Sequence, residues 1–215
     1  MPKKKKKTQD AGTTRLAKPK ADPPTQELSF VTTVPQVLAL QLWNIRNNWN
    51  QAGSGWTWIR PTLMKVDLAR IKATTRPRVP ELMEIGRKIF ASTPAITLKA
   101  SSIKPNSTEQ KLELILEGDQ DLRDLQLRLG QAVILGGFSL EEKGLPAPRA
   151  LLARREEDRE PLLSKPTPEM MTPPFDSWVV SRAHLIEPLQ SGLLDAYTSL
   201  NVWKLAKPQT KSDWW

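Results

Sequence analysis

The 215-residue sequence contains no cysteine, one histidine and one tyrosine. Without cysteine, neither disulfides nor thiolate metal sites can form, and a single histidine cannot build an imidazole-rich metal site. The absence of cysteine also suits a reducing compartment. We therefore expect neither a bound metal nor another cofactor.

Long apolar runs are missing too. No stretch approaches the roughly 18 residues that a membrane span needs, and the first residues form a lysine run with no apolar segment behind it. This pattern predicts neither a signal peptide nor a membrane association. The sequence also lacks a Walker loop, an H-E-x-x-H pair and a glycine-rich dinucleotide fingerprint. Its hydrophobic share of 39% is enough to bury a core.

The formal net charge is +9 and is unevenly distributed. Eight Lys or Arg and three Asp or Glu precede residue 28, so this segment carries more than half of the excess. Residues 1–26 are predicted to form a disordered basic arm because they have almost nothing to bury. The lysine run Lys3 to Lys7 is typical of a solubilising tail, of a nuclear-targeting signal and of a nucleic-acid contact. It leads us to expect an intracellular protein, in the nucleus or the cytoplasm.

Hydrophobic patterning and turn residues predict the elements of the remaining chain. Apolar stripes and caps predict three helices, and runs of apolar and β-branched residues predict eight strands. In order, they are a strand at 28–31, a helix from 35 to a break at 52–55, strands at 56–58 and 63–71, a helix at 80–91, strands at 95–103 and 111–116, a helix at 119–135, a strand at 149–154, and two final strands at 178–185 and 196–205.

Because these strands do not alternate strictly with helices, the order favours an α+β fold over a doubly wound sheet. We expect one domain over residues 27–206, with a long loop at 156–174, followed by a short tail at 207–215. The segment Arg154 to Glu160 mixes both charge signs and is typical of a solvated loop.

Four stretches resemble the two-histidine phosphoesterases, also called the 2′-5′ RNA ligase-like or cyclic phosphodiesterase superfamily. They are Leu28 to Pro35, Trp58 to Leu68, Gly137-Phe138 with Pro148 to Arg154, and Phe175 to Leu185 with Tyr197 to Leu205. The third is similar to the motif P-H-x-T-L-A-R. The resemblance implies two pseudo-symmetric lobes with antiparallel sheets around a central cleft and helices packed outside. Each lobe would contribute one H-x-[ST] motif from a strand.

Both motifs are degenerate in this sequence. Lys65 stands where the first histidine would be and Asp67 at its Ser/Thr position, while Arg149 and Leu151 take the corresponding places in the second motif. The only histidine, His184, falls outside both motifs, and we interpret it as an ordinary surface or sheet residue. In the family, one histidine acts as base and the other as acid, and each such role contributes roughly 10²–10⁴-fold. The resemblance therefore implies a protein that has lost its catalytic groups.

Two cations facing one cleft can still hold a phosphate, Arg149 through its forked donors and Lys65 as a point charge. Arg154 in the second motif and Arg60 near Trp56 and Trp58 are further candidates, because aromatic and basic side chains together can bind RNA. The alternative is that these side chains are merely solvated, or that Lys65 pairs with Asp67.

The eight tryptophans are many for this length. For Trp56, Trp58, Trp178 and Trp203, core packing is the simpler interpretation. Trp214 and Trp215 differ, because two exposed indoles are costly unless they dock on something. Docking on the domain itself and binding of a protein partner are both open at this point.

Three hypotheses follow from the sequence. The first is a catalytically inactive two-histidine-like protein that binds RNA or a nucleotide phosphate, by itself or within a ribonucleoprotein. The second is a scaffold subunit with a vestigial cleft, and the third is an active phosphodiesterase with non-standard residues. An open basic cleft around Lys65 and Arg149 would favour the first, and a cleft plugged by Leu151 would favour the second.

Overall fold

A computed structural model describes residues 25–52, 55–106, 108–117, 120–142, 144–155, 166–189 and 195–206. Nine strands are present in this part of the chain: β1 (Thr25–Thr33), β2 (Trp56–Trp58), β3 (Lys65–Thr75), β4 (Ile96–Asn106), β5 (Lys111–Leu116), β6 (Arg149–Arg155), β7 (Ser177–Val180), β8 (Arg182–Pro188) and β9 (Tyr197–Lys204). The α-helices are α1 (Gln36–Asn44), α2 (Arg46–Ala52), α3 (Val79–Ala91), α4 (Gln120–Leu135) and α5 (Pro168–Met171).

The strands form two antiparallel halves that meet at the middle of the molecule. Their order is β7-β4-β5-β6-β3-β1-β8-β9, and β2 pairs with the outer part of β6. The halves join where β6 and β3 pair at Val66 and Ala150. Two lobes thus face each other, as predicted, one with four strands and the other with four strands and β2, and the α+β class is confirmed.

Helices α3 and α4 show how the sequence closes the core. Gly86 of α3 faces Trp203 of β9 so closely that a β-carbon would lie 2.8 Å from the indole. Helix α4 ends where the sequence predicts, because Gly137 adopts a φ of 75°, which glycine tolerates without strain. The indoles of Trp58 and Trp178 are buried, while Trp56 and Trp203 pack against the core half-buried, so their predicted structural role is confirmed.

Several predicted boundaries differ from the structure. The first strand begins at Thr25, two residues before the predicted domain start, and the predicted helix from 35 to the break at 52–55 is two short helices, α1 and α2. The predicted loop at 156–174 contains the single turn α5.

The predicted strand at 178–185 is two strands. β7 pairs with β4 in one lobe and β8 pairs with β1 in the other. The chain therefore crosses between lobes at Ser181, and the closing hairpin is β8–β9 alone. Periodicity missed this break because apolar residues continue on both sides of Ser181.

Residues 1–24 of the predicted basic arm, most of the mixed-charge segment at 154–160 and the tail at 207–215 lie outside the described residues. The last two residues of the predicted arm, Thr25 and Gln26, belong to β1. Among the helices that are described, none has the length and apolar character of a membrane span.

Candidate functional site

An open cleft of about 720 Å³ lies between the two lobes. Lys65, Arg149 and Arg154, three of the four residues singled out from the sequence, line it together with Asp67 and Leu151. Arg60, the fourth, is exposed at the start of a 3₁₀ turn and is not among the lining residues. The structure thus brings the two motif strands together around one space, which Leu151 lines without closing.

The two motif strands match residue by residue. Residues 65–70 of β3 read K-V-D-L-A-R and residues 149–154 of β6 read R-A-L-L-A-R. Each strand has a β-bulge at its leucine. Leu68 of β3 has no partner residue in the pairing with β1, and Leu152 of β6 has none in the pairing with β5. A bulge turns two successive side chains towards the same side, and both leucines and the alanines that follow them are buried. The same type of β-bulge therefore determines which side chains of each strand face the cleft.

Lys65 lies at the β3 side of the cleft and is ion-paired with Asp195. Its side chain is 13% exposed, and its Nζ lies 5.3 Å from the centre of the Tyr197 ring. Burial, and the neighbouring Asp195, raise the pKa of the Tyr197 hydroxyl, so this hydroxyl is neutral at physiological pH. The sequence-based alternative that Lys65 pairs with Asp67 is wrong, because Asp67 accepts a 2.9 Å hydrogen bond from Arg70 instead.

Arg149 lies opposite, at the β6 side. One of its guanidinium nitrogens, Nη1, donates to Oε2 of Glu113 over 3.2 Å. The Glu113 side chain is only 7% exposed, whereas that of Arg149 is 30% exposed. Glu113 was not singled out from the sequence, because nothing in the run Lys111 to Leu116 shows that its middle strand residue faces a cleft.

Arg70 is a cleft residue that sequence reasoning missed. It is held by Asp67 and approaches Glu142 to 3.4 Å and Glu141 to 3.9 Å. Burial by itself lowers the pKa of this guanidinium, but the three carboxylates more than compensate, so the pKa is raised. The repeated L-A-R ending of the two motifs was the signal that could have revealed it, because Arg70 corresponds to Arg154.

The charges around the cleft are nearly balanced. Six basic side chains line it, and five acidic ones do so as well. The basic set is Lys65, Arg70, Lys111, Arg149, Arg154 and Arg155, and the acidic set is Glu27, Asp67, Glu113, Glu141 and Asp195. A space with this balance favours one well-placed anion over an extended polyanion, since long-range attraction scales with the net charge.

His184 lies away from the cleft on β8, between Val31 of β1 and Val202 of β9. Its Nδ1 is 3.3 Å from the Ser199 hydroxyl. Burial, assisted by Arg182, lowers its pKa. Its place in the sheet agrees with the structural role expected from the sequence. Among the described residues, no three His, Asp or Glu side chains are grouped as a metal site would need.

No family model and no curated protein sequence matches the chain. Several solved structures, in contrast, superpose on the chain. Escherichia coli LigT in complex with 3′-AMP superposes with a TM-score of 0.68 at 18% identity, over 85% of this chain and 99% of LigT. The protein TT0787 of Thermus thermophilus gives 0.69 at 17% identity, over 85% and 99% of the two chains. The PDE domain of MHV ns2 gives 0.56 at 11% identity, over 75% and 99%.

This chain has the LigT-like, two-histidine phosphoesterase fold. The resemblance read from the four sequence stretches is thereby confirmed for the fold. With one histidine in the whole sequence, and that one outside the cleft lining, the chain cannot present the histidine pair after which the fold is named.

Proposed function

We propose that this protein binds RNA ends or nucleotide phosphates in the cleft and does not hydrolyse them. The observation that carries the proposal is that Lys65 and Arg149 line one open cleft from two adjoining strands. Antiparallel pairing at Val66 and Ala150 places their side chains on the same face, diagonally across the strand pair.

Both cations can bind a phosphate while keeping their carboxylate partners. A guanidinium has five N–H donors, and Glu113 engages only Nη1 of Arg149. The Lys65 ammonium has three donors, of which Asp195 needs one. A phosphate seated between them would therefore add charge-assisted hydrogen bonds to an existing network. Arg154 and Arg70, at matching positions on the two strands, extend the donor set.

The comparison with LigT supports a nucleotide as the ligand. LigT has been crystallised with 3′-AMP, with ATP, with NADP⁺ and with phosphate. In the present chain, Tyr197 offers the cleft an aromatic face beside Lys65, and aromatic faces stack bases with little sequence preference. We infer a phosphate at Lys65 and Arg149 with an attached nucleoside near Tyr197.

The absence of turnover follows from the same groups. An arginine stays protonated and cannot take a proton from a ribose hydroxyl, and Lys65 is committed to an ion pair with Asp195. Each missing acid or base lowers the rate by roughly 10²–10⁴-fold. Together these losses remove most of the acceleration expected of such an enzyme.

The test is a titration with a short RNA that carries a 3′-phosphate, against the same RNA with a 3′-hydroxyl. Because Glu113 is buried, Arg149 is changed together with it, as Arg149→Met with Glu113→Gln. Lys65→Met is likewise combined with Asp195→Asn. Each double change keeps the net charge of the cleft constant. Charge-assisted hydrogen bonds are worth about 1.5–3 kcal/mol each, so each double variant should lose about tenfold or more in affinity for the phosphorylated RNA.

A matched control is available on the surface. Lys99 and Glu117 form an exposed pair with a 3.8 Å separation outside the cleft lining, so Lys99→Met with Glu117→Gln should bind like the wild type. Equal affinity of all variants, with no preference for the 3′-phosphate, would contradict the proposal.

The basic arm is proposed to add sequence-independent affinity. Deleting residues 1–24, which stops short of β1, should weaken RNA binding and flatten its salt dependence, because fewer counterions are released. We expect the thermal midpoint to stay unchanged and nuclear accumulation to fall. A large drop in melting temperature would mean that the arm contributes to the fold.

The second candidate is a scaffold subunit with a vestigial cleft. The pairing of Lys65 with Asp195 and of Arg149 with Glu113 favours it, because both cations are already neutralised. This hypothesis predicts that RNA binding, where present, is lost only when the arm is deleted and never when the cleft pairs are changed.

A further inference from the structure

An apolar groove lies outside the cleft, along the outer face of α4. We call it the α4 groove and define it by Leu127, Gly130, Ile134, Leu140 and Leu145. Its volume is about 220 Å³. Leu127 is 46% exposed, Ile134 58% and Leu145 40%. Contiguous exposed apolar side chains of this kind are typical of a surface that another segment covers.

The described chain ends close to this groove. The Ala206 amide donates to the Thr93 carbonyl over 2.8 Å, and the Ala206 carbonyl accepts from Ala95 over 3.0 Å. Thr93 is tied in turn to α4, because its hydroxyl accepts from Nη2 of Arg128 over 3.0 Å. Ala206 is therefore fixed beside the middle of α4.

A second cavity connects this point with the α4 groove. It measures about 410 Å³ and is lined by Thr93 and Arg128 at one end. Leu127 and Gln131 line both this cavity and the α4 groove. A continuous surface path thus runs from Ala206 along the helix to Ile134.

The nine residues after Ala206 are long enough for this path. From Arg128 to Ile134 the helix rises about 9 Å, at roughly 1.5 Å per residue. The eight residues from 207 to 214 span up to about 26–29 Å when extended. The reach leaves ample slack for the chain to follow the surface.

The chemistry of the segment matches the path. Lys207 and Lys211 come first, and Asp121 and Asp124 line the connecting cavity. Trp214 and Trp215 follow, and the apolar α4 groove lies further along. The order of basic and then aromatic residues in the segment therefore corresponds to the order of the acidic cavity and the apolar groove along the path.

We propose that residues 207–215 fold back along α4 and that Trp214 and Trp215 fill the α4 groove. The Trp pair then covers apolar surface of its own chain. This docking is independent of phosphate binding, because the α4 groove shares only the rim residue Arg70 with the cleft.

The cysteine-free sequence allows a direct test by disulfide trapping. Ser212→Cys is combined with Gln131→Cys, at the entrance to the α4 groove, in the full-length chain. The control combines Ser212→Cys with Lys88→Cys on α3. Lys88 is exposed and only five residues before Thr93, so it lies within the contour length of an undocked segment. Docking predicts an intramolecular disulfide at least tenfold faster with position 131 than with position 88.

A stability cycle provides the second measurement. Deleting residues 207–215 should lower the thermal midpoint by about 4 °C or more, given the apolar area involved. In an Ile134→Glu background, the same deletion should have little further effect, because the groove is already blocked. Val37→Glu, at an exposed aliphatic of α1, serves as the control in which the deletion keeps its full effect.

Three outcomes would overturn the proposal. Equal trapping at positions 131 and 88 would show an undocked segment. A disulfide-linked dimer would make a second copy the occupant of the groove. A deletion without effect on the midpoint in all backgrounds would leave Trp214 and Trp215 to a different protein partner.

Discussion

The two motif strands share a backbone and differ in what they present to the cleft. β3 and β6 carry the same bulge at the same leucine and bury the same Leu-Ala pair. At the cleft-facing positions, β3 has Lys65 and Asp67, each with a partially exposed partner, whereas β6 has Arg149 on a buried carboxylate and the apolar Leu151.

This comparison shows that the fold requires the buried Leu-Ala pair, whereas the cleft-facing residues can differ between the lobes. The core-facing leucine and alanine fill the space between sheet and helices, where packing tolerates little change. The cleft-facing side chains meet solvent, so each lobe can neutralise its cation in its own way. In this chain the two cleft-facing cations, Lys65 and Arg149, are each held by a carboxylate.

The largest expected effect concerns the shared core positions. Leu68→Ala and Leu152→Ala should each destabilise the protein by about 2–5 kcal/mol, because both side chains are buried and leave a cavity. Chemical denaturation would measure both. Losses that differ by much more than about 1 kcal/mol would mean that the lobes are not equivalent in their cores.

A smaller effect is expected at the cleft pairs, and here the lobes should differ. Arg149→Ala leaves the buried Glu113 carboxylate without its partner and should cost about 3 kcal/mol. Lys65→Ala should cost less than about 1 kcal/mol, because Asp195 is 26% exposed and water replaces the partner. Thermal melting would rank the two variants.

The double change Arg149→Met with Glu113→Gln is the control for that ranking. It removes both charges and should recover most of the stability lost in Arg149→Ala. Equal losses for Arg149→Ala and Lys65→Ala would contradict the difference between the lobes.

The sequence predicted the motif strands and the end of α4 because their signals, the runs of apolar and β-branched residues and the glycines after α4, are local. The two lobes followed from the resemblance of the four stretches to a known fold. The sequence could not reveal Glu113, Asp195 or Tyr197, because these reach the cleft only through pairing between distant strands. The sequence could not reveal the crossing between the lobes at Ser181 either, because this crossing depends on pairing with β4 and β1 and not on the residues near 181.

The smallest expected effect concerns β8 and β4, which occupy corresponding places in the two lobes. His184 on β8 is the only histidine, so β4, its counterpart in the other lobe, has no imidazole. Because burial lowers the pKa of His184 in the folded state, the unfolded state binds its proton first as the pH falls. Stability should therefore be full above about pH 6.5 and fall slightly below it.

His184→Gln should remove that component from the pH dependence of the melting temperature, leaving the carboxylate titrations at lower pH unchanged. A variant profile identical to the wild type between about pH 5 and 7 would show that His184 is solvated in the folded protein.

The most direct test of binding without hydrolysis is to follow an RNA that ends in a 2′,3′-cyclic phosphate. The protein is held in excess over the oligonucleotide, and the RNA ends are resolved by chromatography over hours. The account predicts that the RNA is bound and recovered with its cyclic phosphate intact. Hydrolysis at enzymatic rates, about 1 s⁻¹ or faster, that disappears in the Lys65→Met, Asp195→Asn variant would contradict it.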